Sequence, residues 1–353
     1  MRLAILRKTL AEHDLDAVLV SQPENRRYLS GFTGSAGWLF ISLERAILAT
    51  DFRYFEQVGR EAPDFELAKI TTNLDKLLPE LVTDLDIERL GFESQHVTVD
   101  QLHSWAQAAE GVEWVPLKDT VEMIRAVKDE DEIDALRRSV ALTDAAFAHM
   151  LGVIEPGMTE QAAAWQIEAY MRSHGASKVA FDLIVAAGPN GALPHARAGD
   201  RVIQPGEPIV VDIGCVLDGY CSDMTRTFCL GEPNARYLEV WNIVLQAQEA
   251  AEAIIRAGIS GVEADSAARD LITEAGYGEY FGHGLGHGVG LAVHESPRAS
   301  QLSDHTLEAG MTLTVEPGIY LPGEFGVRIE DLVIIREDGV EILTRTPKTA
   351  SIM

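Results

Sequence analysis

The chain has 353 residues, with 55 acidic side chains against 29 basic ones and a formal net charge of -26. That balance argues against nucleic acid or an anionic membrane as partner, because both demand basic patches. The length and an ordinary soluble composition predict two domains, or three, with a large core.

The N-terminal stretch MRLAILRKTLAEHDLDAVLV carries charges at Arg7, Lys8, Glu12, Asp14 and Asp16, so it holds no apolar signal core. No apolar run approaches membrane-spanning length. Cys215, Cys221 and Cys229 are odd in number and form no CxxC pair, which speaks against a disulfide framework. These features predict a cytoplasmic protein. Strands are expected at 16–21, 38–42 and 45–51, and a helix at 74–85 that Pro79 interrupts or opens late. The glycines of SGFTGSAG (30–37) fall every third residue, which reads as a turn-rich loop and not as a dinucleotide fingerprint. The first ~120 residues thus form an α/β unit without a ligand cluster.

A helix is expected over 127–150, its acidic start suiting the positive end of the helix dipole. The domain boundary falls at its entrance, giving domains 1–122 and 123–353. Beyond it, Ile154, Gly157, Thr159, Ala163 and Gly175 recur 101 residues later as Ile255, Gly258, Ser260, Ala264 and Gly276. Each copy reads as a helix end, a turn, a capped helix closed by glycine, and then a strand-like segment (179–187 and 281–293). Two such halves suggest a pseudo-twofold domain with a cleft between them.

In PIVVDIGCVLDGYCSDMTRTF (208–228), Asp218-Gly219 is a two-residue hairpin signal. That turn sets Leu217 opposite Tyr220, Gly214 opposite Asp223 and Asp212 opposite Thr225. Asp212 and Asp223 become diagonal neighbours on one face, roughly 7–8 Å apart, over empty space left by Gly214. Two such carboxylates repel without a cation. In FGHGLGHGVGLAVHE (281–295) every second residue from Gly282 to Gly290 is glycine. A helix there would cost roughly 4–5 kcal/mol against alanine. An extended backbone puts His283, Leu285, His287 and Val289 on one side and a glycine face on the other, open to close approach by another backbone. Glu316 ends the apolar MTLTVE, while Arg328 and Glu330 share a face in VRIEDLVII. Most strand glutamates are solvated, but these have apolar neighbours. The candidate ligands are Asp212, Asp223, His287, Glu316 and Glu330. Such an oxygen-rich set suits two harder divalent ions, Mn foremost, with Co, Fe or Zn as alternatives. Paired metals ionise a water and polarise a carbonyl, which is hydrolase chemistry.

The order Asp, Asp, His, Glu, Glu, in the contexts VDIG, CSDMTRTF, GHGLGH, VEPGIY and VRIED, resembles the pita-bread metallopeptidases over about residues 125–350. RRYLSGFTGSAG and TDFRYFEQ resemble the creatinase-type N-terminal domain of aminopeptidase P and related proline peptidases. The resemblance implies an α/β (α+β) chain: a creatinase-like N-terminal domain followed by a duplicated pita-bread catalytic domain. It implies that Asp212 and Asp223 bridge or chelate the metals, that His287 binds one and that Glu330 bridges. Glu316 would bind metal and shuttle a proton. His195 and His294 would stand near the scissile carbonyl. His283 would line the substrate pocket, Arg298 would bind a free proline carboxylate, and Arg328 would hold an acid of the centre or line the pocket. His13, His103 and His174 are left as surface or satisfied histidines. The implied partners are proline-containing peptides and a second copy in a homodimer.

The resulting expectation is a dinuclear-metal exopeptidase cutting Xaa-Pro bonds. Aminopeptidase P action on longer peptides is placed ahead of prolidase action on dipeptides, because FTGSAG and TDFRY look most like the former. Length and HESPR (294–298) oppose that order. A metal-free creatinase-like hydrolase and a non-catalytic binding protein are the remote alternatives, and both predict eroded ligands.

Overall fold

Apolar runs near the N-terminus assemble into one mixed sheet. The computed structural model describes residues 2–352, which divide into two units between Arg125 and Ala126. In the first unit six strands stand in the order 66–70, 46–51, 38–42, 17–20, 89–93, 113–117. Strand Trp38–Ser42 is antiparallel to both neighbours, and the other pairs are parallel. The first three strands lie within one residue of their expected bounds. Helix Leu74–Asp84 runs through Pro79, which neither interrupts it nor delays its start. Proline forfeits one N–H bond, but the Asn73 cap and buried Leu74, Leu78 and Leu81 hold the helix whole. The SGFTGSAG loop is held from within, since the buried Arg26 guanidinium donates to the carbonyls of Gly34 and Gly37 at 2.7 Å each.

In the second unit the expected helix over 127–150 spans Glu130–Leu151. Residues 127 and 128 are extended instead, because Val127 bridges Met311 and the Lys128 N–H donates to the Gly310 carbonyl. Asp129 then caps the helix in a capping box with Glu132. The duplication is physical. Helices Glu130–Leu151 and Glu160–Ser173 pair in one half, Ala235–Ile254 and Gly261–Glu274 in the other. The 101-residue offset recurs in the hydrogen bonds: Ile154 to Met150 and Ile255 to Ala251, then Ala176 to Met171 and Tyr277 to Ile272. Thr159 and Ser260 each cap the second helix of their half. Gly157 and Gly258 turn the chain before them at φ of 99° and 93°, where a side chain would be strained.

Each half contributes an antiparallel strand pair, Pro208–Ile213 with Met224–Leu230 and Thr312–Val315 with Asp331–Ile335. Of the strand-like segment 281–293, only Gly286–Gly288 is a strand. A 3-10 turn, Gly278–Tyr280, precedes it, and its ladder shifts register after His287 and ends at Gly288. Likewise 179–187 is two short strands, Lys178–Val179 and Ile184–Ala187. Among the described residues no helix is long and apolar enough to cross a membrane, and the three cysteines are buried free thiols.

The glycine face of 284–288 is packed against backbone. A Cβ on Gly286 would lie 1.8 Å from the Thr314 carbonyl oxygen, and one on Gly288 2.2 Å from that of Ser296. Gly286→Ala should therefore lower stability by about 1–3 kcal/mol or more. Gly282→Ala, with nothing within 4 Å of its Cβ, should be near neutral. Thermal unfolding of the two variants checks this, and equal midpoints would contradict it.

Candidate active site

The hairpin forms as its sequence demands. Asp218 and Gly219 both take positive φ, 51° and 88°, as a two-residue hairpin turn of the primed type requires. Leu217 pairs with Tyr220, and the same register carries on to Asp212 opposite Thr225. The space above Gly214 is not empty, contrary to expectation. A Cβ there would lie 2.1 Å from the Ser222 carbonyl oxygen and 2.8 Å from the Phe181 ring. Glycine is needed for close backbone approach, and the gap between the acids lies elsewhere. In the other half Val315 pairs with Asp331, so Glu316 and Glu330 stand one step further on, flanking the ends of their strands. The halves are joined where the Glu330 N–H donates to the Thr225 carbonyl at 3.0 Å.

Asp212, Asp223 and Glu330 converge, each offering a carboxylate oxygen within 4.8 Å of the others. Oδ1 of Asp212 and Oε1 of Glu330 are buried without a hydrogen-bond partner. Burial, and then Glu330, Asp212 and Glu316, hold the Asp223 carboxyl well above the usual range. Burial, and then Glu316 and Asp212, do the same to Glu330. Burial also raises Glu316. Orphaned buried oxygens at one point are what a hard divalent cation takes as ligands, so these residues fit a metal ion.

His287 sits beside this cluster, buried. Its Nδ1 lies 3.1 Å from the carbonyl of Gly288, which places the proton there and leaves the Nε2 lone pair free. Nε2 faces Oε1 of Glu316 at 3.4 Å and Oδ2 of Asp223 at 3.8 Å. Burial lowers its pKa, so the ring is neutral, the form a metal takes. Threonines that the sequence reading passed over position this segment. The His287 N–H donates to Thr314 Oγ1 at 2.9 Å, and that hydroxyl donates to Glu316 Oε1 at 2.9 Å. The Val289 N–H donates to Thr312 Oγ1 at 3.0 Å. The period-two run Thr312, Thr314, Glu316 was the available signal.

Arg328 is buried and donates to Asp212 Oδ2. Its Nε donates to Thr225 Oγ1 at 3.0 Å, and that hydroxyl donates to Glu330 Oε2 at 2.7 Å. Arg328 Nη1 donates to the Tyr320 hydroxyl at 2.7 Å, which lies 2.9 Å from His283 Nε2. The second nitrogen of His283, Nδ1, lies 2.8 Å from the Gly284 carbonyl. Burial pushes the Tyr320 hydroxyl up to about 12, so it stays protonated and links His283 to Arg328. Tyr320 gave no motif signal.

These groups open on a cavity of about 740 Å3 whose lining includes His195, His283, His287, His294, Arg298, Arg328 and all four acids. The structure thus brings every candidate residue to one space. Their degree of exposure differs: His195, His294 and Arg298 are exposed, whereas Asp223, His287, Arg328 and Glu330 are buried. The His294 ring meets that of His287 edge-on at 4.4 Å. Burial, with His287 and Arg298 nearby, lowers its pKa to about 4, so it too is neutral at pH 7. His13, His103 and His174 are exposed elsewhere.

Asp223→Asn should abolish high-affinity divalent binding, a loss of at least ~100-fold, beyond what outer-shell changes cost. In the metal-free protein it should raise the melting temperature. The folded-state pKa of Asp223 is raised, so its contribution is favourable in acid and is lost as pH rises through that value. The gain from Asn should be clear at about pH 8 and shrink toward about pH 5. Calorimetry and thermal melts after chelation test this, and a destabilised metal-free variant at the higher pH would contradict it.

Comparison with known proteins agrees with this geometry. The model of metallopeptidase family M24 matches residues 134–337, and that of the creatinase/prolidase N-terminal domain matches residues 2–127. The chain is 36% identical to the Xaa-Pro dipeptidase of Pyrococcus furiosus, covering 98% of each. Among solved structures it is similar to an Xaa-Pro dipeptidase from Bacillus anthracis, at 42% identity and a TM-score of 0.97, covering 100% of this chain and 99% of that one. It is also similar to an X-Pro aminopeptidase from Thermotoga maritima, at 41% identity and a TM-score of 0.90, covering 96% and 98%. Family-level matches over both units, together with an acid-lined cavity fit for a metal ion, show that the chain belongs to metallopeptidase family M24.

Proposed function

We propose that the protein is a cytoplasmic Xaa-Pro dipeptidase that holds two divalent ions, Mn foremost, and works as a homodimer. The observation that carries the substrate reading is Arg298. It stands opposite His287 in the strand register and lines the cavity. The residue is exposed and has no ion-pair partner among the described residues. An unpaired cation suits the free carboxylate of a dipeptide's proline, where a longer peptide offers only a neutral amide. The similarity to Xaa-Pro dipeptidases from Pyrococcus furiosus and Bacillus anthracis supports this order over aminopeptidase P action, reversing the precedence drawn from FTGSAG and TDFRY. Aminopeptidase action remains the second reading because of the Thermotoga maritima relative. Two ions are favoured over one by the five donors, too many for a single tetrahedral site. The buried free thiols fit a reducing compartment, and the homodimer rests on family resemblance.

The chemistry such ions supply when bound is an activated water and a polarised carbonyl. Asp212, Asp223, His287, Glu316 and Glu330 would hold them. Arg328 and Thr225 fix the outer oxygens of Asp212 and Glu330, so the inner oxygens face the centre. Glu316, held by Thr314, takes a proton from the attacking water and delivers it to the proline nitrogen. His195 and His294 donate N–H to the carbonyl oxygen as negative charge grows there.

After chelation and Mn reconstitution, Ala-Pro should be hydrolysed and Ala-Pro-Ala at least about tenfold more slowly. Arg298→Met should lower kcat/KM for Ala-Pro roughly 10–100-fold, the worth of one charged hydrogen bond, and should leave the tripeptide nearly unchanged. Faster cleavage of the tripeptide would replace dipeptidase action with aminopeptidase P action.

A further inference from the structure

Lys128 has its backbone paired to Gly310 and stands just before the helix Glu130–Leu151. Its side chain is 1% exposed. The ammonium lies 3.0 Å from Oε2 of Glu295, itself 6% exposed. Removing two charges from water is expensive, and an apolar pair of the same volume is often as stable. A buried ion pair of this kind points to a task of position.

Glu295 directly follows His294. Its Oε1 accepts from the Ala292 N–H at 2.8 Å, so the carboxylate forms the inside of the turn 290–295. Gly290 makes room for it, since a Cβ there would lie 2.5 Å from Glu295 Oε2. The far side of the turn is tied by the Cys221 N–H to the Gly290 carbonyl at 2.7 Å, and by Gly290 to Ala292 at 2.9 Å. Glu295 then pairs with Gly288 across the register shift that follows His287. His294 leaves this turn toward the cavity. Among the described residues no hydrogen bond fixes its ring, and its one ring contact is edge-on with His287. The place of the imidazole therefore depends on the shape of the turn.

We propose that Lys128 is a positioning residue for His294, acting through Glu295: the buried ion pair sets the 290–295 turn and so aims the imidazole at the scissile carbonyl. This rests on the role of His294 given under the proposed function. An ångström-scale misplacement of such a group is enough to cost rate without loss of binding.

The test is a double-mutant cycle on Mn-loaded protein with Ala-Pro as substrate: Lys128→Met, His294→Ala and the two together. Lys128→Met should lower kcat by about tenfold, with KM within about twofold and Mn content unchanged. In the His294→Ala background the same change should cost less than about twofold. Losses that multiply across the cycle, or a Lys128→Met variant with full kcat, overturn the proposal. A His294→Ala variant with full kcat overturns instead the role of His294, and the proposal with it. Should Lys128→Met fail to fold, Lys128→Met with Glu295→Gln removes both charges without stranding either. This pair should melt near the wild type yet show the same kcat loss, again hidden by His294→Ala. Full activity in it overturns the proposal.

Discussion

Carboxylates that share a buried space cannot all keep their charge in the absence of a cation. Asp212, Asp223 and Glu330 meet within 4.8 Å, with Glu316 beside them. The surrounding protein compensates only the outer rim of that charge. Arg328 takes one oxygen of Asp212, and the Thr225 hydroxyl takes one of Glu330. The opposite oxygens of both residues are buried and left without partners. A fully satisfied network would have been the more stable arrangement for an inert core. This core leaves those oxygens unmatched at one point, where a divalent ion would fit.

The fold delivers the acids there by duplication. Each half brings two antiparallel strands together, and each half places acids at or near adjacent strand ends, Asp212 with Asp223 and Glu316 with Glu330. The glycine-rich segment packs beside the strand Thr312–Val315 of the second half. Its bare face lets the backbone of 284–288 approach the carbonyls of Thr314 and Ser296 more closely than any side chain would permit. Its other face carries His287 to the acids. Hydroxyls of Thr312 and Thr314 take over the backbone groups that so short a strand leaves unpaired. Arginine, tyrosine and histidine form a second chain, Arg328 to Tyr320 to His283, that ties Asp212 to the pocket wall.

Much of this was legible in the residues. The Asp-Gly turn has one favoured geometry, so it predicted the register that pairs Asp212 with Thr225. The 101-residue repeat foretold the two halves because helix caps and αL glycines recur wherever the same turn recurs. What stayed hidden depended on tertiary contact. Nothing in the sequence says that Phe181 and Ser222 fill the space over Gly214. Tyr320 looks like any strand tyrosine until Arg328 and His283 are seen on either side of it. Pro79 reads as a helix breaker because its lost hydrogen bond is local, whereas the leucines that outweigh it are buried by distant strands. The length of the 281–293 strand was overestimated because alternation sets which face a side chain takes, not whether a partner strand continues alongside.

The central claim is that the incomplete carboxylate cluster is a divalent-ion centre. The most direct measurement is an anomalous-diffraction map of crystals of the chelated protein soaked in Mn. The account predicts density between Asp212, Asp223 and Glu330, with a second peak reaching His287 and Glu316, and about 3.5–4 Å between them. A map with no peak at these carboxylates, at Mn levels that saturate the solution protein, would contradict it.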